Sequence, residues 1–269
     1  MILRCDLAVD SVGGKKNKNI KRRITEGRFG TVREDITLLS DMGDVYAGRY
    51  ITLTRKDVYP SCSEEKKYFI RALGKAVKDL ISDKNNLPQC VMIIGLGNGM
   101  MTSDALGKSV TEKTVPTRGR ISVKTEVCCF SVGVGGVTGI ESSEVIRGLL
   151  NTVRPDLLIC VDALCAADSK RLGVSYQITD TGIAAGSGAG CGKGIRIDRN
   201  FAGIPVVAIG VPFVVSARRL VETVTKAKNK INELFANEDL FVAPRDADAI
   251  LDETSDVIAT ALNLIFSAE

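Results

Sequence analysis

Three short runs of apolar residues decide what this chain can fold into. "CVMIIGLG" (90–97), "DLLICVDAL" (156–164) and "IPVVAIGVP" (204–212) are of strand length and apolar almost throughout. A strand with one wet face alternates apolar and polar residues, so a near-continuous apolar run reads as a strand buried on both faces. Segments of helical spacing lie between them. In "SEEKKYFIRALGKAVKDLISDKN" (63–85), Phe69, Leu73, Val77, Leu80 and Ile81 share one face, with an acidic start and Pro88 beyond the end. "GIESSEVIRGLLNTVRP" (139–155) and "SARRLVETVTKAKNKINELF" (216–235) also read as helices, and a closing helix follows Pro244. Residues 34–54 read as strands around a turn at Met42-Gly43-Asp44. No repeat or linker divides the 269 residues. The expectation is a single α/β domain over 1–269, a three-layer αβα sandwich with a mostly parallel central sheet.

Several chemistries are excluded by composition. The chain has no histidine, which removes Ser-His-Asp and Cys-His triads and the His-containing zinc sites. The acid and base of a hydrolase built from it must be carboxylates, Lys, Cys or Tyr. The eight cysteines form no C-x-x-C pair, and Cys90, Cys128, Cys129 and Cys160 sit in apolar strand-like surroundings. They read as buried reduced thiols of a cytosolic protein. A net charge of +4 is too small to argue for nucleic-acid binding. The basic cluster "KKNKNIKRR", Lys15 to Arg23, reads as a solvated loop or exposed face. The start shows no signal-peptide pattern, and no apolar run reaches the roughly 18 to 20 residues that span a bilayer. A soluble, intracellular protein without membrane contact is expected.

"GLGNGM" invites a dinucleotide-binding reading and fails it. The glycines are Gly95, Gly97 and Gly99, with Met100 at the sixth position, and no acidic strand end follows at the required distance. No G-K-[ST] follows for a phosphate loop either. In open α/β sheets ligands bind beyond the carboxyl ends of the strands. Asp104 lies just after the 90–97 run, and Asp162 lies at the expected carboxyl end of a 156–161 strand. On parallel neighbouring strands, the two carboxylates would share one crevice and one proton. One would activate water and the other protonate a leaving group. Structural alternatives stand beside this reading. Asp104, or Ser103, could N-cap a helix beginning near Ala105, and Asp162 could be a hydrogen-bonded strand-end residue. The glycine-rich interval 173–200 reads as a short strand and a long loop, either functional or a surface insertion.

Seven phrases, in order, carry a resemblance: "RCDLAVD" (4–10), "GRYITL" (48–53), "GLGN" with "TSDALG" (95–107), "GVTGIESSEVIRGL" (136–149), "RPDLLICVDALCA" (154–166), "QITDTGIAAGSGAG" (177–190) and "IPVVAIGVPFVVSA" (204–217). Together they resemble the germination proteases of spore-forming Firmicutes, endopeptidases that degrade small acid-soluble spore proteins at germination. The resemblance implies a phosphorylase/hydrolase-like fold shared with hydrogenase-maturation peptidases. It also implies an atypical aspartic-type mechanism in the spore core, without cofactor, by a homotetramer. The family's two aspartates fall on Asp104 and Asp162. In the maturation peptidases the same region binds metal through carboxylates and a histidine, which this chain cannot supply.

The family's zymogen processing site would fall between Asp6 and Leu7, making residues 1–6 a short propeptide. Asp180 and Glu141 are secondary candidates for orienting the pair. Amides around Gly97 and Asn98 are candidates to stabilise an oxyanion. Lys193 or Arg196 would read a substrate glutamate. Ala184 and Ala185 replace the family's His-Pro, and Ser216 replaces a usual aspartate. These departures motivate the alternative of a non-catalytic sporulation protein that keeps the fold and binds a partner. A maturation-type peptidase acting on a metalloenzyme precursor is a third reading, disfavoured by the missing histidine and the "RCDLAVD" start.

Overall fold

The computed structural model describes residues 6–13, 18–81, 87–184, 195–225 and 240–266. The chain begins with helix α1 (Ala8–Val12), then strands β1 (Ile20–Glu26), β2 (Val32–Leu38) and β3 (Gly48–Thr54) and helix α2 (Ser63–Leu80). Strand β4 (Cys90–Gly95), helix α3 (Leu106–Lys113), strand β5 (Glu126–Ser131), the single turn α4 (Gly135–Thr138), helix α5 (Ser142–Val153) and strand β6 (Leu157–Ala166) follow. Next come β7 (Ser175–Thr179), the short pair β8 (Ile183–Ala184) and β9 (Arg196–Ile197), and the turn α6 (Arg199–Ala202). The described chain closes with β10 (Val206–Ser216), α7 (Ala217–Thr225), β11 (Phe241–Val242) and α8 (Ala247–Phe266).

One nine-stranded sheet runs in the order β1-β2-β3-β7-β10-β6-β4-β5, with β11 also pairing β10. The three apolar runs became β4, β6 and β10, and with β5 they form a parallel block. The rest of the sheet is an antiparallel wing. Side-chain alternation sorts the strands into two cores. Val91, Ile93, Ile159, Val207 and Ile209 pack under α2, α3 and α8. Met92, Ile94, Leu158, Cys160 and Val206 pack against α5 and α6 on the other face. Further along that second face, Leu7, Ala8, Val9 and Val12 of the N-terminal segment cover Ile36, Tyr50 and Leu164. Helices on both sides of one sheet make the three-layer arrangement.

Several boundaries differ from the sequence reading. Helix α2 stops at Leu80, because Ile81 turns to an extended conformation (φ −68°, ψ 131°). Helix α5 starts at Ser142, not Gly139: Gly139 is left-handed (φ 73°) and ends α4, and Glu141 caps α5. Strand β6 continues to Ala166, and β10 continues past Pro212 through a bulge before Val214. The 216–235 helix is described as far as Thr225, and its remainder lies outside the described residues. The basic cluster supplies part of an unforeseen strand, β1, whose residues 21–26 are exposed. Cys160 is fully buried, but Cys128 and Cys129 are only half-buried because β5 is an edge strand, and Cys90, at the start of β4, is half-buried too. The six described cysteines form no disulfide with one another.

Candidate active site

Strand β4 connects outward to β5, while β6 leads in the opposite direction toward β10. The crevice beyond β4 and β6 is therefore the switch point of the parallel block, where open α/β sheets bind ligands. The strands are parallel neighbours, as the shared-crevice argument requires. Strand β4 ends at Gly95, opposite Val161, and one further bond follows, from the Leu96 amide to the Val161 carbonyl at 2.8 Å. Asp162 is the next residue. It lies in the middle of β6 rather than at the strand's end, and the crevice exists because β4 stops first.

Asp104 reaches the same place from the loop after β4. Gly97 has φ +96°, and a Cβ there would sit 2.2 Å from the Asp104 carbonyl oxygen. Only glycine fits so close a return of the chain. The Asn98 amide donates to Asp104 Oδ2 at 2.6 Å. Gly107 brings α3 down onto the strand ends, where a Cβ would lie 2.6 Å from the Val161 carbonyl oxygen. The capping alternative does not hold: Ala105 is the N-cap of α3, and no side chain caps it.

The electrostatics join the two carboxyls. Burial pushes Asp162 well above the ordinary carboxyl range; the negative charges of Asp104 and then Asp6 push it further, against one hydrogen bond from the Ala163 amide. Burial also raises Asp104, opposed by the Asn98 amide. Desolvation and like charge both favour the protonated form, so a proton is held at this site under conditions where exposed aspartates have lost theirs.

The third acid, Asp6, belongs to the N-terminal segment lying across the open edge of β6. Alternate amides along that edge are all met by carboxylates. Ala163 donates to Asp162 Oδ1 at 2.9 Å, Cys165 to Asp6 Oδ2 at 2.8 Å, and Ala167 to Asp10 Oδ2 at 3.0 Å. Asp10 also pairs with Arg171. Leu7 is fully buried in one cluster with Leu164, which holds the Asp6–Leu7 peptide at this edge. Gln177 grips it: Nε2 donates to the Asp6 carbonyl at 3.0 Å, and Oε1 accepts from the Ala8 amide at 2.7 Å. The sequence reading missed Gln177. Its signal was a large amide within the otherwise apolar and hydroxyl-bearing run "SYQIT".

The other candidates are engaged elsewhere. Asp180 accepts from the Arg49 amide at 2.8 Å and from Arg49 Nε at 2.7 Å, while the same guanidinium holds the Asp79 and Leu80 carbonyls ending α2. Glu141 forms a reciprocal capping box with Glu144. The Asn98 amide is engaged by Asp104, and Gly97 makes the turn that brings Asp104 back to the strand ends. Arg196 donates through Nε and Nη2 to Thr181 and Gly182, and its guanidinium lies 3.9 Å from the centre of the Tyr46 ring. Lys193 and Ala185 lie outside the described residues, while Ala184 pairs with Arg196 between β8 and β9. Among the described residues no three Cys, Asp or Glu side chains gather as a metal-binding group, and no helix is long and apolar enough to cross a membrane.

Comparison with known proteins locates this site within a matched region. The germination protease family profile matches residues 33–227, which include Asp104, Asp162 and Gln177. A germination protease of Clostridium tetani is 30% identical, with 98% of this chain and 95% of that protein covered. The Bacillus subtilis germination protease is 33% identical over 80% of this chain and 64% of its own length. Among solved structures, a NiFe hydrogenase maturation protease from Thermococcus kodakarensis KOD1 matches 72% of this chain and 99% of its own, at 19% identity and a TM-score of 0.44.

Proposed function

The chain belongs to the germination protease family, and from that premise we propose that it is an endopeptidase in which Asp104 and Asp162 together activate water against small acid-soluble spore proteins. The observation that carries this reading is the carboxyl pair at the switch point, in which the Asp104 charge raises buried Asp162.

Asp162, the more strongly raised of the two, carries the resting proton; Asp104, held by the Asn98 amide, is the base. Asp104 takes a proton from water as the water oxygen bonds to the substrate carbonyl carbon, and the carbonyl oxygen becomes an oxyanion. Collapse of this intermediate breaks the C–N bond. The Asp162 proton moves to the leaving nitrogen, giving a carboxyl group and an amine. Transfer of the proton from Asp104 to Asp162 restores the resting pair. No cofactor enters these steps.

Residues 1–269 act in this reading as one unit in the spore core, as a homotetramer. Residues 1–6 are a propeptide removed at Asp6–Leu7, which takes the Asp6 carboxylate away from Asp162. The support for that bond is the grip of Gln177 on the Asp6 carbonyl and the effect of the Asp6 charge on Asp162.

The test incubates the full chain, and a chain starting at Leu7, with a small acid-soluble spore protein and maps the products by mass spectrometry. Cleavage at one glutamate-containing site is expected, slowed about 10²- to 10⁴-fold in Asp104→Asn and in Asp162→Asn. No cleavage by either form would favour a non-catalytic, partner-binding protein. Cleavage that survives both substitutions would keep the activity and remove the mechanism. Light scattering checks the tetramer.

A further inference from the structure

Every residue of β7 is buried, and Gln177 is the one with an amide side chain; it is 6% exposed. The amide's orientation is decided by its partners. The Ala8 backbone N–H can only donate, so Oε1 faces it, and Nε2 must face the Asp6 carbonyl. The register supplies the rest. Gln177 stands opposite Gly210 on β10, and Gly210 stands opposite Asp162 on β6. Residues in one such row project to the same face. Neighbouring strands are about 4.8 Å apart, so the Gln177 and Asp162 backbones are separated by roughly 10 Å. Between them the row has a glycine, and the Leu164 side chain packs over it, with Cδ1 2.5 Å from where a Cβ would stand. Asp6 links the two: Gln177 holds its carbonyl, and its carboxylate raises Asp162.

We propose that Gln177 is a further catalytic residue of the peptidase reaction, its Nε2 donating to the carbonyl of the bond being cut, where the oxyanion develops. The proposal rests on reading Asp104 and Asp162 as the peptidase pair. In the full chain the carbonyl is that of Asp6. In a chain starting at Leu7, Asp6 is gone but Ala8 remains, so Oε1 stays anchored and Nε2 points at an incoming substrate carbonyl. The amide keeps its proton throughout.

The test uses the chain starting at Leu7 with a small acid-soluble spore protein as substrate. Gln177→Met removes both bonds; Gln177→Glu keeps an acceptor for Ala8 and removes the donor. Loss of an oxyanion donor lowers kcat by about 10²- to 10³-fold. Both variants should show that loss with KM nearly unchanged, since the donor acts on the transition state. Substrate binding measured in an Asp162→Asn background should be the same with and without the added Gln177→Met substitution. If Gln177→Met fails to fold, Gln177→Glu, which retains the Ala8 bond, is sufficient by itself. A kcat kept within about threefold in either folded variant, or a loss seen entirely in KM, overturns the proposal. If the unsubstituted chain does not cleave at all, the peptidase reading fails first and takes this one with it.

Discussion

Asp6 and Cys165 exchange two hydrogen bonds across the open edge of β6: the Asp6 amide donates to the Cys165 carbonyl at 2.9 Å, and the Cys165 amide donates to Asp6 Oδ2 at 2.8 Å. The exchange fixes a negative charge close enough to Asp162 to raise its pKa, though less than Asp104 does. Neutralising either neighbour should therefore lower the Asp162 titration midpoint. Carbon NMR of the Asp162 carboxyl, followed against pH, should show a fall in Asp6→Asn and a larger fall in Asp104→Asn. An unchanged midpoint in both would mean that burial alone raises it.

The same shift makes Asp162 a stability liability. Its folded pKa lies above the unfolded value near 3.8, so the native state binds more protons between the two. Stability from this group is complete below the unfolded pKa and is lost as pH rises through the folded one. Each pKa unit is worth about 1.4 kcal/mol at the upper end of the window. Asp162→Asn keeps an acceptor for the Ala163 amide and has no charge to bury. Denaturant unfolding at several pH values should find this variant more stable than the parent at neutral pH by about 1 kcal/mol or more, with the gain vanishing toward pH 4. A variant no more stable at neutral pH would show that the carboxylate is better solvated than its burial implies.

Much of this architecture was legible because apolar continuity is a local property. β4, β6 and β10 are visible as runs of Val, Ile and Leu, and their parallel pairing placed Asp104 and Asp162 in one crevice. What escaped depends on pairs distant in sequence. Gln177 acquires its meaning from Asp6 and Ala8, which lie 171 and 169 positions away. Glu141 and Asp180 looked like further acids of a site, but a carboxylate at a helix start or beside an arginine carries the same letters whether it caps, pairs or catalyses. Asp162 was expected at a strand's end; where β4 stops relative to β6 is a matter of register, which composition does not encode.

The Arg49–Asp180 pair provides a test of that distinction. Arg49 ties Asp180 to the last carbonyls of α2, so Asp180→Asn should loosen the end of that helix. The ion pair is partly exposed, which limits its contribution to about 0.2–1 kcal/mol. Thermal unfolding should register a loss of that order, while cleavage of a small acid-soluble spore protein should stay within about twofold of the parent, a change under ~0.5 kcal/mol in activation free energy. A loss of activity far beyond the loss of stability would return Asp180 to the site.

Gly97 and Gly43 separate conformational strain from damage to the crevice. Both have positive φ, +96° and +62°, so alanine is strained at either position. A non-glycine residue held in such a conformation costs of order 1–3 kcal/mol. The surroundings differ. A Cβ at Gly43 meets nothing within 4 Å, whereas one at Gly97 would lie 2.2 Å from the Asp104 carbonyl oxygen and 2.9 Å from its Oδ1. Backbone cannot yield as a side-chain tip can, so Gly97→Ala must push the Thr102–Asp104 turn away from β6 and stretch the Asn98–Asp104 bond. Displacing a catalytic group by about 1 Å can lower the rate some 10²-fold. Gly97→Ala should thus lose both stability and about two orders of magnitude in kcat/KM, while Gly43→Ala loses stability alone. Equal catalytic losses in the two variants, once each is corrected for its folded fraction, would detach the Gly97 turn from the chemistry proposed for Asp104.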